Sequence, residues 1–501
     1  MIFEKINNIK AIDKNNFHKA ESLSKRVVKG GIWIFSIRII NRCIGFIRTI
    51  ILARLLSPHD FGIIGIALIT ISALENLSQT GFQTALIQKN KNIESYLDTA
   101  WTVSAIRGIV LFLILFFSSS IIGKFFNAPQ ATLVIKIIAI STLLLGFTNI
   151  KILFFQKELQ FERLFFYEFS GILIDVTVSI SLAFIYRNVW ALVWGVIAGN
   201  FVRLFMSYAL SPYRPQITIK KQKVIDLFRF GRWILGSSIL IFIITQGDDI
   251  FVGKMLGVTT LGFYQIAFML SNLPATEITH VVSQVVFPAY SKLQEDLPKL
   301  KEAYLNVLQL ISFITIPLAG EIFVLAPDFT NLFLGEKWIP IIPVIQVLVF
   351  AGLIRSIAAT TGTIFHGVGK PQINTLWQTI RLIILIALIY PFSMKWNILG
   401  TSMAVLCSII VAAFGFCFMA IKTTKCGAGN FGKILFLPLI NGSLMVLIIL
   451  IFQSRIQPVG FSKFFFLVVL GFFSYIAVTF LFDRFLNYGI QKLIKKRLIF
   501  T

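Results

Sequence analysis

Residues 31–54 read GIWIFSIRIINRCIGFIRTIILAR, an apolar run that contains three arginines before its last residue. A helix that crosses the hydrocarbon core of a bilayer needs about 20 mostly apolar residues. This run is therefore predicted to be a spanning helix. It follows a polar tail over 1–30 and is too long for the apolar part of a cleavable signal peptide.

Similar runs continue to the end of the chain. The 501 residues are 56% hydrophobic and only 14% charged, whereas soluble domains carry about 25% charged residues. This composition excludes a soluble or disordered protein and predicts an all-α polytopic membrane protein. We predict fourteen transmembrane helices near 31–54, 61–87, 99–123, 131–155, 165–186, 189–211, 229–251, 261–288, 304–327, 339–365, 373–394, 398–421, 432–453 and 462–482.

Basic residues outnumber acidic ones by 46 to 22, giving a net charge of +24. If the N-terminus is cytoplasmic, 29 of them fall in cytoplasmic segments and 8 in the short outer loops. The positive-inside rule then predicts that both termini are cytoplasmic. Because these residues punctuate the spans instead of covering a soluble face, we expect no nucleic-acid partner. The basic loop 212–228 is predicted to signal topology, with anionic lipid as an alternative contact.

An internal repeat divides the chain. Residues 31–70 align without gaps with residues 231–270, and ten of the forty positions are identical. A parallel repeat predicts two six-helix lobes related by an axis along the membrane normal. The predicted segments are a cytoplasmic tail (1–30), an N-lobe (31–211), a basic linker (212–228), a C-lobe (229–421), helices 13 and 14 (432–482) and a basic cytoplasmic tail (483–501).

Charged residues inside predicted spans are candidates for function, because each costs at least about 2.5–3.5 kcal/mol at the centre of a helix. On helix 1, Arg38, Asn41, Arg42 and Arg48 fall within a stripe about 120° wide. The planar fork of arginine binds two phosphate oxygens at once, so the stripe favours an anionic, phosphate-bearing substrate. Snorkelling of Arg38 and structural pairing of the other two are the alternatives.

Helix 2 carries Glu75 and Gln79 on one face, which is polar enough to line a cavity; Glu75 could neutralise a helix 1 arginine. Position 248 is the repeat equivalent of 48, so Asp248 or Asp249 is a candidate gate partner for Arg48. Solvated acids at a helix end are the alternative.

Helix 5 carries Glu168 and Asp175 seven residues apart on one face. An intramembrane carboxylate of this kind can carry a coupling proton, and Asp175 lies deeper. The alternative is a structural ion pair with Lys136 or Lys151 on helix 4. Arg203, Arg355 and Arg381 could line the cavity or lie near cytoplasmic ends. Gly195 and Gly199 form a small-residue pair that predicts close helix packing.

Several motifs resemble a known family. The run ARLLSPHDFG over 53–62 resembles the A-R-x-L-x-P-x-x-F/Y-G signature of the polysaccharide exporters, the Wzx-type flippases. Further matching stretches are GFQTALIQ over 81–88, DDIFVGKMLG over 248–257, LGFY over 261–264, FPAYSKLQ over 287–294 and LGEKW over 334–338. The match is clear for helices 1 to 10 and is nearest to the branch of colanic-acid and teichuronic-acid exporters.

The resemblance implies a MATE-like fold in which the two lobes form a V around a central cavity. It implies a flippase in the bacterial inner membrane that moves undecaprenyl-diphosphate-linked oligosaccharides to the outer leaflet for O-antigen, exopolysaccharide or capsule. Membrane lipids, a polysaccharide polymerase and other assembly proteins would be partners, with no cofactor or metal. A cation-coupled multidrug exporter of the same fold is the alternative, although the arginine stripe argues against cationic cargo. Short outer loops and the lack of a nucleophile or nucleotide motif argue against an enzyme.

Overall fold

The computed structural model describes residues 39–78, 94–158, 160–220, 238–273, 286–456 and 460–486, with the single positions 33, 37 and 222. Within these ranges every regular element is a helix. The chain divides into two compact units, residues 1–243 and residues 244–501. The finer division into lobes, linker and appended helices stays a prediction.

The described residues of the first unit form eight helices up to Ala209. They are α1 (39–55), α2 (Pro58–Leu77), α3 (Glu94–Phe125), α4 (Pro129–Ile138), α5 (Ile140–Gly146), α6 (Ile152–Lys157), α7 (Phe161–Tyr186) and α8 (Trp190–Ala209). Helix α2 begins three residues before the predicted span and ends at Leu77, with Ser78 as its C-cap.

The start of α2 is encoded locally. The Ser57 hydroxyl accepts a hydrogen bond from the Asp60 backbone amide, and the Asp60 carboxylate accepts one from the Ser57 amide at 2.9 Å. This reciprocal capping box satisfies two backbone donors, and Pro58 fits the first helical position because its missing amide hydrogen is not needed there. The SPHD segment therefore fixes the point at which the chain turns from α1 into α2.

The second unit contains α9 (238–251, whose first residues precede the division), α10 (Val258–Ser271), α11 (Leu297–Phe329), α12 (Ile342–Gly367), α13 (Pro371–Thr424), α14 (Ala428–Arg455) and α15 (Phe461–Leu486). Helices α2 and α10 begin at positions 58 and 258, in register with the repeat. The long α13 contains non-helical angles at Trp396 and Asn397, where φ of Asn397 is 54°. This break separates the two segments predicted as helices 11 and 12.

Two turns in the second unit have the same geometry. Gly257 and Gly335 each have φ 94° and ψ 171°, and each ends a five-residue π-turn, Val252–Leu256 or Thr330–Leu334. Their amides bond to the carbonyls of Val252 at 3.1 Å and Thr330 at 2.8 Å. Only glycine adopts this backbone region readily. The recurring Leu-Gly pairs of the sequence are therefore required by backbone conformation.

The outer surface is apolar, as a protein surrounded by lipid requires. Phe117, Phe201 and Phe414 are 74%, 60% and 75% exposed. Within the described residues, ten helices are long and apolar enough to cross a membrane, and α13 spans two predicted crossings. The protein is thus a multi-pass membrane protein of helices; the total of fourteen crossings stays a prediction.

The chain after α8 is held against the first unit. The Asp98 carboxylate accepts hydrogen bonds from the Tyr213 hydroxyl and from the Gln216 amide at 3.1 Å. Thr102 Oγ1 accepts a bond from the Thr218 amide at 3.0 Å, and Asn149 Nδ2 donates to the Tyr213 carbonyl at 2.8 Å. The described first part of the predicted linker is therefore fixed in place by α3 and its neighbours.

Candidate functional site

The most direct contact between predicted site residues is an ion pair in the first unit. Arg48 Nη2 of α1 lies 2.8 Å from Asp175 Oδ1 of α7 and donates to Ser179 Oγ at 2.9 Å. Ser179 in turn donates to Asp175 Oδ1 at 2.9 Å, since residues four apart on a helix face the same side. Charge-assisted bonds of this kind are shorter and stronger than neutral ones, and here they fix α1 against α7.

Glycines on α8 make room for this cluster. A β-carbon on Gly195 would lie 1.8 Å from Ser179 Oγ and 2.7 Å from Asp175 Oδ1. One on Gly199 would lie 2.8 Å from the Gly171 carbonyl oxygen. The predicted role of Gly195 and Gly199 in close helix packing is confirmed, and the packing brings α8 directly against the ion pair.

A second charged pair joins α7 to α8. Arg203 Nε is 3.8 Å from Glu168 Oε2, and Arg203 Nη1 donates to Asn200 Oδ1 at 3.0 Å. A β-carbon on Gly171 would meet the Arg203 side chain at 2.5 Å, so glycine leaves the space that arginine fills. Both helix 5 carboxylates thus face arginines.

The alternative pairing of these carboxylates with lysines of helix 4 is wrong. The Lys136 ammonium lies 5.3 Å from the centre of the Phe116 ring, a cation–π contact. The sequence did not reveal Arg48 and Arg203 as the partners of these carboxylates, because both arginines belong to other helices. The spacing of residues along one helix does not show which helices pack together. Whether Asp175 or Glu168 carries a proton stays a prediction.

The remaining candidates of helices 1 and 2 are only partly described. Asn41 and Arg42 are partly buried on α1, whereas Arg38 and Gln79 lie outside the described residues. Glu75 interacts electrostatically with Arg107 of α3. Arg107 also donates to the Glu75 carbonyl at 3.0 Å and to Ser78 Oγ at 2.9 Å. The Glu75 side chain therefore has a cationic neighbour on α3, besides any helix 1 arginine expected from the sequence.

Asp248 and Asp249 lie buried in the second unit, only 5% and 9% exposed. Asp248 Oδ2 accepts a hydrogen bond from the Tyr264 hydroxyl at 2.7 Å, and Tyr264 is fully buried on α10. The structure thus places the Asp pair in the interior and not at a solvated helix end. The predicted pairing of Arg48 with either residue would join the two units and stays a prediction.

Two further arginines of the second unit line one cavity of about 250 Å³. Arg355 of α12 and Arg381 of α13 share it with the polar side chains of His366, Asn374 and Gln378. Each was an open candidate from the sequence. The cavity was not predictable, because it depends on how the two halves of α13 pack against α12.

The Arg355 side chain is held in place by contacts with Asn272 and Phe268. Its Nη1 donates to Asn272 Oδ1 at 3.0 Å, and its guanidinium lies 5.3 Å from the centre of the Phe268 ring. The buried Asp248 and Tyr264 act on it electrostatically. Arg381 makes no hydrogen bond or ion pair with any described residue, and its Nε is buried.

Among the described residues that line this cavity there is no carboxylate. Two guanidiniums with free donors in a partly enclosed, low-dielectric space suit an anion with several oxygens, such as a phosphate or diphosphate. Amide groups at the mouth suit hydroxyl-rich groups. The chemistry available here is binding; the part of the chain that the structure describes contains no group of three residues placed to hold a metal.

Residues 51–343 match the family described as "Polysaccharide biosynthesis protein". The chain belongs to this family. One relative is the lipopolysaccharide biosynthesis protein WzxC of Escherichia coli, which is 26% identical over 80% of this chain and 82% of WzxC. The succinoglycan biosynthesis transport protein ExoT of Rhizobium meliloti is 24% identical over 68% of each chain. The resemblance to polysaccharide exporters is thereby confirmed.

Solved structures confirm the fold of this family member. A lipid II flippase, MurJ, in an inward closed conformation superimposes with a TM-score of 0.74 at 17% identity, covering 91% of this chain and 99% of MurJ. An inward-facing multidrug resistance MATE family transporter gives a TM-score of 0.61, covering 79% and 99%. The fold is therefore MATE-like. The relative ExoT is named as a transport protein, which agrees with the prediction that the chain is not an enzyme.

Proposed function

We propose that the protein is a flippase for lipid-linked oligosaccharides. It would move undecaprenyl-diphosphate-linked repeat units from the cytoplasmic to the outer leaflet by alternating access, for surface polysaccharide such as O-antigen, exopolysaccharide or capsule. The observation that carries the proposal is the cavity with Arg355 and Arg381 inside a membrane protein of polysaccharide biosynthesis. An intramembrane charge marks a substrate path by default, and here the charge is positive.

The depth of the two arginines suits a group that must cross the bilayer. Arg355 stands twelve residues before Gly367, the end of α12, or about 18 Å along the axis. Arg381 stands ten residues after Pro371, the start of α13, or about 15 Å along it. Both therefore lie near the middle of a core about 30 Å thick. His366 and Asn374, 3.2 Å apart, lie at the helix ends.

The diphosphate would bind between the two guanidiniums while the polyprenyl chain stays in lipid. Helix 1 would supply a second cationic wall through Arg38, Asn41 and Arg42, with Glu75 and Gln79 opposite. Arg48 would be available to substrate only when released from Asp175, and would pair with Asp248 or Asp249 in another state. Arg48 would thus exchange between two ion pairs, one in each conformation, and a bound anion would shift the population towards the conformation that it binds more tightly.

The proposal includes the topology. The chain would cross the bacterial inner membrane fourteen times, in two six-helix lobes with two appended helices, and both termini would be cytoplasmic. Membrane lipids, a polymerase and other assembly proteins would be its partners. A cation-coupled drug exporter needs an acidic cavity, and the described cavity is basic. It remains the competing outcome in the test.

The test is leaflet-resolved analysis of lipid-linked oligosaccharides in a deletion strain. The strain should accumulate them on the cytoplasmic leaflet, and the wild-type gene should clear them. Arg355→Ala and Arg381→Ala should fail to clear them at unchanged protein level. Arg455→Ala is the matched control, since Arg455 is exposed at the end of α14. Unchanged intermediates together with altered drug sensitivity would overturn the flippase in favour of the exporter.

A further inference from the structure

Helix α15 buries polar side chains at regular intervals. Lys463, Leu467, Gly471, Tyr475, Thr479 and Asp483 follow one another at four-residue spacing, and all are buried. We name this set the α15 stripe. From Lys463 to Asp483 the helix rises about 30 Å, the thickness of the hydrocarbon core. A stripe with an ammonium at one end and a carboxylate at the other is unusual for helices that only fill space against lipid.

The stripe meets polar partners on α11 and α14. Lys463 Nζ donates to the Gln453 carbonyl at 2.9 Å, and Gln453 Nε2 donates to Asp328 Oδ2 at 2.9 Å. Towards the other end, Asn441 Nδ2 donates to Thr479 Oγ1 at 3.0 Å. The junction of the three helices therefore contains hydrogen-bonding groups at both ends of the stripe.

Glu321 of α11 faces the middle of the stripe. A β-carbon on Gly471 would lie 2.5 Å from Glu321 Oε1 and 2.9 Å from Ile449 Cδ1, so glycine leaves room for the carboxyl group in this position. Glu321 forms no hydrogen bond or ion pair with any described residue. In contrast, Asp175 and Glu168 face arginines, and Asp328 accepts a bond from Gln453.

The surroundings of Glu321 are nearly free of charge. On α14, Ile449 lies beside the same glycine, and on α12 the Gln346 side chain donates to the carbonyl of Phe323 on α11 at 3.3 Å. On α11 the next acid is Asp328, seven residues away. On α15 the ionisable neighbours are Tyr475, one turn from Gly471, and Lys463 and Asp483 at the ends. No charged group in the described residues balances the carboxylate.

We propose that Glu321 is a proton-binding site at the junction of α11, α14 and α15, and that transport is coupled to its protonation. An ionised carboxylate without a partner in an apolar junction is costly, whereas the neutral acid is tolerated. Binding one proton converts the carboxylate to the acid and changes no other group. Along the stripe, the polar side chains nearest to Gly471 are Tyr475, about 6 Å away along the axis, and Lys463, about 12 Å away on the other side. Only the coupling to transport rests on the proposed function.

Labelling with dicyclohexylcarbodiimide tests the site without substrate. This apolar reagent adds to protonated carboxyl groups, and mass spectrometry locates the adduct. We expect the peptide containing Glu321 to be labelled at about pH 6, with labelling at least about tenfold lower at about pH 9. Glu168, which faces Arg203, is the internal control and should stay unlabelled. No Glu321 adduct at either pH, or equal labelling at both, would overturn the proposal.

The coupling is tested in the deletion strain. Glu321→Gln mimics the protonated state, and we expect it to reduce clearance of lipid-linked oligosaccharides at least about tenfold, with partial rescue by Glu321→Asp. Leu481→Ala is the matched control, because Leu481 is an exposed residue of α15. Wild-type clearance by Glu321→Gln would overturn the coupling. Failure of the wild-type gene to clear them would instead refute the proposed function and leave the labelling result standing.

Discussion

Arg48 and Asp175 are separated by 127 positions in the chain and by 2.8 Å between Nη2 and Oδ1. This ion pair fastens α1 to α7, and each side chain keeps only about a fifth of its surface exposed, 19% and 24%. A carboxylate that the sequence nominated as a proton carrier is therefore also a structural counter-ion.

Removing one member of this pair should destabilise the first unit. Asp175→Asn keeps the shape but leaves the Arg48 charge uncompensated, with an expected loss of up to about 3 kcal/mol. The thermal unfolding midpoint in detergent measures the effect. Lys299→Ala, which removes an exposed pair with Asp296, is the control and should not change the midpoint. Equal midpoints for the two variants would show that the Arg48 pair contributes nothing.

Gly195→Ala should lower the unfolding midpoint, because its β-carbon would overlap Ser179 Oγ and crowd Asp175. The control is Gly45→Ala on α1, where a β-carbon would meet no atom within 4 Å. In a helix interior, alanine is favoured over glycine by about 1 kcal/mol, so the control should be neutral or stabilising. If Gly195→Ala is as stable as Gly45→Ala, α8 does not press on the ion pair as described.

Gly257→Ala should destabilise the second unit through the backbone alone. Its φ of 94° and ψ of 171° fall in a region that costs other residues about 1–3 kcal/mol, while the space around it is open. Gly429→Ala also meets open space, but Gly429 has no positive φ, and it serves as the control. A midpoint for Gly257→Ala no lower than that of the control would argue against the turn geometry.

Tyr213→Phe should loosen the segment after α8. The change removes the hydroxyl that donates to Asp98, so trypsin should cut faster at Lys220, an exposed residue of the same segment. Burial, followed by the hydrogen bond to Asp98 and its negative charge, raises the pKa of Tyr213. A group with a raised pKa in the folded state stabilises below its ordinary value, about 10 for tyrosine, and loses this effect as pH rises through the raised value.

Cleavage of the wild type at Lys220 should therefore keep a constant rate, after correction for trypsin's own pH dependence, between about pH 7 and about pH 9. Tyr390→Phe, an exposed tyrosine of α13, is the control. Cleavage of Tyr213→Phe at the rate of this control would mean that the hydroxyl does not hold the segment.

Local sequence signals predicted local structure well. The apolar runs located the described membrane helices, and the Gly195/Gly199 spacing predicted close packing. The capping box of Ser57 and Asp60 was missed, so the start of α2 was predicted three residues late. The partners of buried charges were not predictable in the same way. Arg355 meets Asn272 of another helix, and Arg381 shares a cavity with it only because α13 folds back beside α12. Such pairings depend on which helix faces are adjacent, and one sequence does not specify that.

Other contacts left a visible signal that was overlooked. The four-residue spacing from Lys463 to Asp483 can be read directly from the sequence. Glu321, which lies next to Gly471, is also an acid within an apolar run of the sequence, but nothing local indicates that it faces a glycine.

The single glycine in the α15 stripe, Gly471, favours one axial position of α15 along α11. A shift of α15 by one turn along α11 would bring Leu467 or Tyr475 to the place of Gly471, and either side chain would collide with Glu321. Such a shift of α15 would therefore require the Glu321 side chain to move. Although the sequence predicted helices 13 and 14 only as an appended pair, the contact between Gly471 and Glu321 ties the axial position of α15 to that of α11.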